Sequence, residues 1–319
     1  KIAWKMILWN QAHDAIGGCS VDRVHEEMLT RWNSVETISD EITRRSLREI
    51  VRNIDGGKLD KNDIQLTVFN AVPMRRREVQ EFLVDLPHAK EDTPFAVETT
   101  DGEPVECQVL SRESYTPTVE GPYELTMPFD AQRLHVALDL HDLPAMGQDV
   151  IAIKPGKEAA KPAASLAKND REMENEFLKV VVNDNGTATL TDKRSGRVQK
   201  EICYLEDTAE FGDPWNRRIP PHDRPILSLE ANANIKKVVD GPLLSTIAAE
   251  FTFTVPKGKT PEGERSGELV ELPITIYYTL RKDLASLDVR IDMENKAENH
   301  RLRLMIPSEI REAMKSFAE

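Results

Sequence analysis

Apolar positions at the start of the chain recur with a helical period. Ile2, Trp4, Ile7 and Leu8 form a short apolar face that stops near Asn10, and Gly17-Gly18 breaks the pattern. Beyond the break, Ser20 predicts an N-cap, with Asp22, Glu26 and Glu27 near the positive end of the helix dipole. Val21, Val24, Met28, Trp32, Val35 and Ile42 return at spacings of three, four or seven, and Leu47, Ile50, Val51 and Ile54 continue the stripe after a slip. The pattern predicts one long amphipathic helix from about Ser20 to Ile54, ended by Gly56-Gly57. Its stripe is longer than the helix before Asn10 can cover. Apolar surface is therefore expected to be exposed, or buried in a homo-oligomer.

From Ile64 the period changes to two. Leu66, Val68 and Phe69 open one strand region, Pro73 marks a turn, and Val79, Phe82, Val84 and Leu86 make a second. Short strands separated by Pro, Gly and Asp continue to Ile153. The Ala-, Lys- and Pro-rich stretch from Lys154 to Asp170 reads as a connector. A second β region begins at Glu176. Asp184-Asn185-Gly186 is a strong hairpin signal, and Ser195-Gly196 marks another turn. Further strands are expected at 247–255, 272–280, 287–293 and 302–306, with the charged insert Pro256 to Glu268 as a surface loop. Helices followed by many strands predict segregated parts, not an alternating βαβ sheet. The expected class is α+β and multidomain, mainly β. A helical-bundle segment (1–60) comes first, then a small β-sandwich (61–153), a linker (154–170) and a larger antiparallel β-sandwich (171–319), itself expected to be incomplete.

Charge and composition narrow the function classes. The 319 residues carry a net charge of −13, which disfavours nucleic acid as a partner. Arg75-Arg76-Arg77 is the one local exception and reads as a solvated turn between strands. No apolar run approaches the ~18 residues of a membrane span, so no membrane partner is expected, and no signal peptide is visible. Lys1 falls inside a helical pattern, so a natural N-terminus is expected upstream. Cys19, Cys107 and Cys203 are odd in number and widely spaced, which fits a reducing, cytoplasmic setting.

The segment from Asn10 to Met28, NQAHDAIGGCSVDRVHEEM, is where chemistry enters. It puts His13 and Asp14 between two helices, just before the Gly-Gly break, where such a pair can reach into a cleft. Read without a family, the same pair is a histidine satisfying a local backbone group beside a turn aspartate. His25 reads as a capping or packing residue and His300 as structural. Ser20 beside His25 is no catalytic triad, because a third member is missing.

The segment resembles the helical middle domain of glycoside hydrolase family 38, the α-mannosidases. His13, Asp14, Ile16, Gly18, Cys19, Ser20, Val21, Val24 and His25 match its pattern, in a form most like the bacterial subgroup that includes mannosylglycerate hydrolases. Four further stretches resemble the family in the family's order: Leu66 to Val79, Met173 to Gly196, Glu206 to Pro221 and Glu298 to Pro307. Two departures stand out. Ala15 replaces a common Ser, and Trp215, preceded by Pro214, replaces a common Tyr.

The resemblance implies a fragment of a zinc-dependent retaining α-mannosidase of the bacterial cytoplasm, acting on terminal α-mannosides. His13 would be one zinc ligand and Asp14 would contact the bound sugar. Zinc takes imidazole nitrogen and carboxylate oxygen, and open positions can bind sugar hydroxyls. The other ligands, the nucleophile and the acid/base carboxylate would lie in an N-terminal catalytic domain of the same polypeptide, outside this chain. A retaining glycosidase needs both carboxylates about 5 Å apart, so this chain alone is expected to be inactive. Asp213, Trp215 and Asn216, with Glu210, could touch the leaving-group side of the sugar, or simply form a tight turn. The alternative is a non-enzymatic β-sandwich protein that binds carbohydrate or a partner. The pair His13-Asp14 separates the readings, since a binding module has no need of it.

Overall fold

A computed structural model describes residues 1–55, 59–119, 127–159, 163–213 and 215–308. The chain forms two compact units. One holds Lys1–Gly56 with Gly212–Arg218; the other holds Gly57–Phe211 and Ile219–Glu319.

In the first unit, α1 (Ile2–Asn10), α2 (His13–Ile16) and α3 (Asp22–Arg52) follow one another. The predicted long helix is present but begins and ends differently. Val21, not Ser20, is the N-cap, and no side chain caps the helix. The Ser20 amide instead donates to the Asp14 carbonyl at 3.1 Å, so this residue closes the preceding turn. Helix α3 stops at Arg52 with Asn53 beyond it; the glycines expected to end it lie outside the described residues. Asn10, fully buried, ties α1 to α3. Its amide donates to the Met28 carbonyl (3.0 Å) and accepts from Arg31 (3.2 Å). The inward positions are Val24, Met28, Arg31, Val35 and Ile38, alternating by four and three. Part of the predicted stripe stays in solvent, with Ile42 61% and Ile50 44% exposed, and Trp4 of α1 is 68% exposed, because nine-residue α1 is too short to cover 31-residue α3. No described helix is long and apolar enough to cross a membrane.

The second unit is built of antiparallel sheets. Its first sandwich has two three-stranded layers. One is β1 (Ile64–Asn70), β8 (Gly147–Pro155) and β3 (Phe95–Thr99), in the order β1-β8-β3. The other is β2 (Arg76–Pro87), β7 (Ala131–Leu143) and β4 (Cys107–Tyr115), in the order β2-β7-β4. Val84, Leu86, Leu134, Val136, Leu138, Ile151 and Ile153 fill the space between them. A short ribbon pairs β5 (Thr118–Val119) with β6 (Met127–Pro128). The arginine run departs from expectation: Arg76 and Arg77 belong to β2, and the three side chains pair with Asp142, Glu78 and Asp283.

The second sandwich packs β9 (Glu172–Glu174), β10 (Leu178–Val182), β11 (Ala188–Asp192) and β12 (Val198–Ile202) against a longer sheet. That sheet is β15 (Asn234–Val239), β16 (Leu244–Pro256), β17 (Leu269–Arg281) and β18 (Leu287–Met293). A third sheet joins β13 (Tyr204–Ala209) to β14 (Ile226–Leu227) and β19 (His300–Met305). Asp184-Asn185-Gly186 makes the β10–β11 turn, and Tyr278 in the core donates its hydroxyl to the Gly186 carbonyl at 2.8 Å. The end of the expected connector is not free: Leu166 is buried, and its amide donates to the Gly241 carbonyl at 3.0 Å.

The two sandwiches are locked together. Val79, Ala137, Leu243 and Leu244 form an apolar plug between them. Buried Gln108 on β4 accepts from the amides of Leu243 (2.9 Å) and Leu244 (3.0 Å) and donates to the Leu244 carbonyl (2.9 Å). Lys282 adds ion pairs to Asp139 (2.8 Å) and Glu106 (2.7 Å).

Candidate functional site

His13 and Asp14 form the first turn of the one-turn helix α2, and the chain after them explains the two glycines. The Gly17 amide donates to the His13 carbonyl, and a Cβ on Gly17 would stand 2.7 Å from that same oxygen. Gly18 follows with φ +76°, a conformation that side chains disfavour. Cys19 and Ser20 then both donate their amides to the Asp14 carbonyl at 3.1 Å. The backbone of the pair is therefore held from behind while its side chains face solvent. His13 Nε2 lies 3.2 Å from Asp14 Oδ1, with side chains 94% and 67% exposed. The Cys19 thiol reaches toward the same carboxylate at 3.8 Å, a weak contact. The pair offers one imidazole and one carboxylate, donor types that suit zinc. Among the described residues no group of three or more His, Cys, Asp or Glu gathers to hold a metal ion. The donor set fits part of a zinc site; any further ligands would have to come from outside those residues.

The second group of candidates sits on the loop after β13. Asp213 Oδ1 accepts from the amides of Trp215 (2.9 Å) and Asn216 (2.8 Å), and the Asp213 amide donates to the Asn216 carbonyl (3.1 Å). These backbone donors hold the Asp213 carboxyl below the usual aspartate range. A Cβ on Gly212 would overlap the Asn216 carbonyl at 1.9 Å, so the loop is closed too tightly for any other residue there. Asp213 and Asn216 are thus occupied in making the turn, and the Trp215 indole, 72% exposed, is what the loop presents. The loop and the His13-Asp14 pair share one compact unit.

A buried charged cluster at the end of β13 was invisible in the sequence. Arg265, from the insert expected to be a surface loop, turns inward and is only 14% exposed. Its Nη2 lies 2.5 and 2.8 Å from the two oxygens of fully buried Asp207, and its Nη1 3.4 Å from Asp223. His300, read as structural, places Nδ1 3.2 Å from Asp207 and Nε2 3.1 Å from the Asn295 side-chain oxygen. Asp223 also accepts the Ala209 amide at 3.0 Å. The cluster fixes the end of β13, from which the candidate loop departs. Its residues are spread over nearly a hundred positions, and a charged hairpin insert gave no signal that one arginine points in. His25 is half-buried on α3, and its Nε2 is buried without a hydrogen-bond partner among the described residues.

Comparison with known proteins assigns the class. Residues 173–316 match the model described as glycosyl hydrolases family 38 C-terminal domain, so the second sandwich is a glycosyl-hydrolase C-terminal domain. A putative mannosylglycerate hydrolase from Halalkalibacterium halodurans is 24% identical over 345 aligned positions, covering 96% of this chain and 38% of the relative. α-Mannosidase G from Dictyostelium discoideum is 21% identical, covering 78% of this chain and 23% of the relative. Among solved structures, an α-mannosidase from Enterococcus faecalis V583 superposes with TM-score 0.88 at 24% identity, over 97% of this chain and 38% of that one. A family 38 glycosyl hydrolase from Enterococcus faecalis gives 0.86 at 25%, over 96% and 40%. The family 38 match itself covers residues 173–316, and the chain as a whole is similar to these relatives while spanning two-fifths or less of their length.

Proposed function

We propose that this chain is part of a zinc-dependent retaining α-mannosidase that hydrolyses terminal α-mannosides. The observation that carries the reading is the His13-Asp14 pair: a solvent-facing imidazole and carboxylate, 3.2 Å apart, on a backbone pinned by the Gly17-Gly18 closure. Collinear similarity to a mannosylglycerate hydrolase over 96% of the chain supports it. In this reading His13 supplies one nitrogen ligand, and zinc, when bound, would act as an electrophilic anchor for sugar hydroxyls. Asp14 holds a hydroxyl of the same sugar by a charge-assisted hydrogen bond. The exposed Trp215 indole offers an apolar face to the leaving group, with Asp213 and Asn216 setting its position. The two reacting carboxylates and the remaining ligands belong to a catalytic domain of the same polypeptide, so these 319 residues alone release no mannose. The experiment is metal analysis and aryl α-mannoside turnover of the protein encoded by the whole reading frame, beside its His13→Ala variant. Loss of both zinc and turnover with an unchanged circular dichroism spectrum is expected. Normal zinc content and near-normal turnover in the variant would reject the role of His13.

A further inference from the structure

Between the two sandwiches, beside the Val79–Leu244 plug, the structure leaves an open cleft of about 440 Å³. None of the residues singled out in the sequence lines it. Its floor is the outer face of the long sheet, where Tyr277, Thr279 and Arg281 of β17 alternate with the core positions Tyr278 and Leu280. Its opposite wall comes from the first sandwich, with Glu81, His135 and Leu110.

The chemistry of this lining is specific. Glu81 bridges the walls, accepting from Arg281 at 2.7 Å and lying 3.0 Å from His135. Asp288 holds the other side of Arg281 at 2.9 Å. The Arg290 guanidinium lies 4.1 Å from the centre of the Tyr277 ring and fixes it in place. Two arginines face two carboxylates, so the lining carries no net field that would draw in an ion. The Tyr277 hydroxyl makes no hydrogen bond to a described residue, and the Thr246–Thr279 hydroxyl pair (2.8 Å) adds donor and acceptor capacity. Between these polar groups Val238, Val239 and Leu244 supply apolar surface. A balanced, directional polar rim around an apolar patch matches a neutral polyhydroxylated ring, which presents hydroxyls at its edge and C–H groups on its faces. A volume of 440 Å³ is within the range of small-molecule sites and suits one or two sugar rings.

We propose that this cleft binds a neutral pyranoside. The inference stands without the catalytic reading, because the cleft lies wholly within the β unit. The test is a methyl-resolved NMR titration of the Leu- and Val-labelled chain with methyl α-D-mannopyranoside, methyl α-D-glucopyranoside and, separately, sodium phosphate. Saturable shifts of the Val238, Val239, Leu110 and Leu244 methyls with a glycoside are expected. Tyr277→Phe combined with Asp288→Asn should weaken binding about tenfold, the loss of one or two hydrogen bonds. Val238→Trp, at a half-exposed position, should fill the cleft and abolish binding; thermal denaturation of each variant checks that it is folded. Absence of glycoside shifts at these methyls overturns the proposal. So does binding that survives Val238→Trp, or a response to phosphate alone.

Discussion

Replacing Arg265 by Met removes the guanidinium that faces both Asp207 and Asp223 while keeping much of the side chain's volume. Asp207 is fully buried and the Asp223 side chain is 2% exposed. After the change Asp207 keeps the His300 contact, and both carboxylates remain where water cannot reach them. Removing one partner of such a buried pair costs about 3–5 kcal/mol, because the desolvated charge stays behind. A domain stability of about 5–15 kcal/mol makes that a large fraction, and the melting temperature should fall by roughly 10 °C. Adding Asp207→Asn to Arg265→Met removes the charge that was left unpaired. The double variant should therefore lose less than the sum of the two single variants, with a coupling of about 1–3 kcal/mol. Urea denaturation of the four proteins gives the cycle. Exchange of the Ala209 amide, which donates to Asp223, gives a local readout and should accelerate in Arg265→Met. Strict additivity, or a loss below about 1 kcal/mol in Arg265→Met, would refute the idea that this insert is anchored by a buried charge cluster.

Three further perturbations follow the same reasoning. Gln108→Ala strands three buried backbone groups of Leu243 and Leu244; a loss of about 2–4 kcal/mol is expected by denaturation, and an unchanged midpoint would mean the sandwiches do not depend on this clamp. Gly17→Ala forces a Cβ to within 2.7 Å of the His13 carbonyl, so the α2 closure should shift and the His13 ring resonances should move; identical spectra would show that the closure tolerates a side chain. The depressed Asp213 pKa means the carboxylate stabilises its turn fully above the usual aspartate value of about 3.9, and the contribution is lost as pH falls through the lower folded value. The difference in tryptophan fluorescence between the parent and Trp215→Phe should therefore change only below that value, and a transition above it would contradict the assignment.

Much of the fold was legible because it is written in local periods. The spacing of three and four from Val24 to Val35 specifies a helix wherever it packs, and alternation along 247–255 and 272–280 specifies strands with one inner face. Asp184-Asn185-Gly186 specifies its turn for an equally local reason: Gly186 takes φ +84° without a side-chain clash, and the Asn185 side chain accepts from the Thr187 amide. The His13-Asp14 pair and its Gly-Gly closure were visible for the same cause: all the atoms that shape them lie within eight residues.

Other features depend on partners far away in the chain. Ser20 looks like a cap, yet the tertiary course of the α2–α3 turn gives its amide to Asp14 and leaves Val21 at the helix start. Gln108, Arg265 and Lys282 sit at positions whose polarity reads as solvent-facing. Each finds its partner across 136, 58 or 143 residues and becomes an internal fastener. A polar residue on a strand carries no local mark of whether water or a buried carboxylate will satisfy it. That is decided only when two sheets close on each other, and the cost of leaving such a group unpaired in the interior then selects the arrangement in which its partner is present.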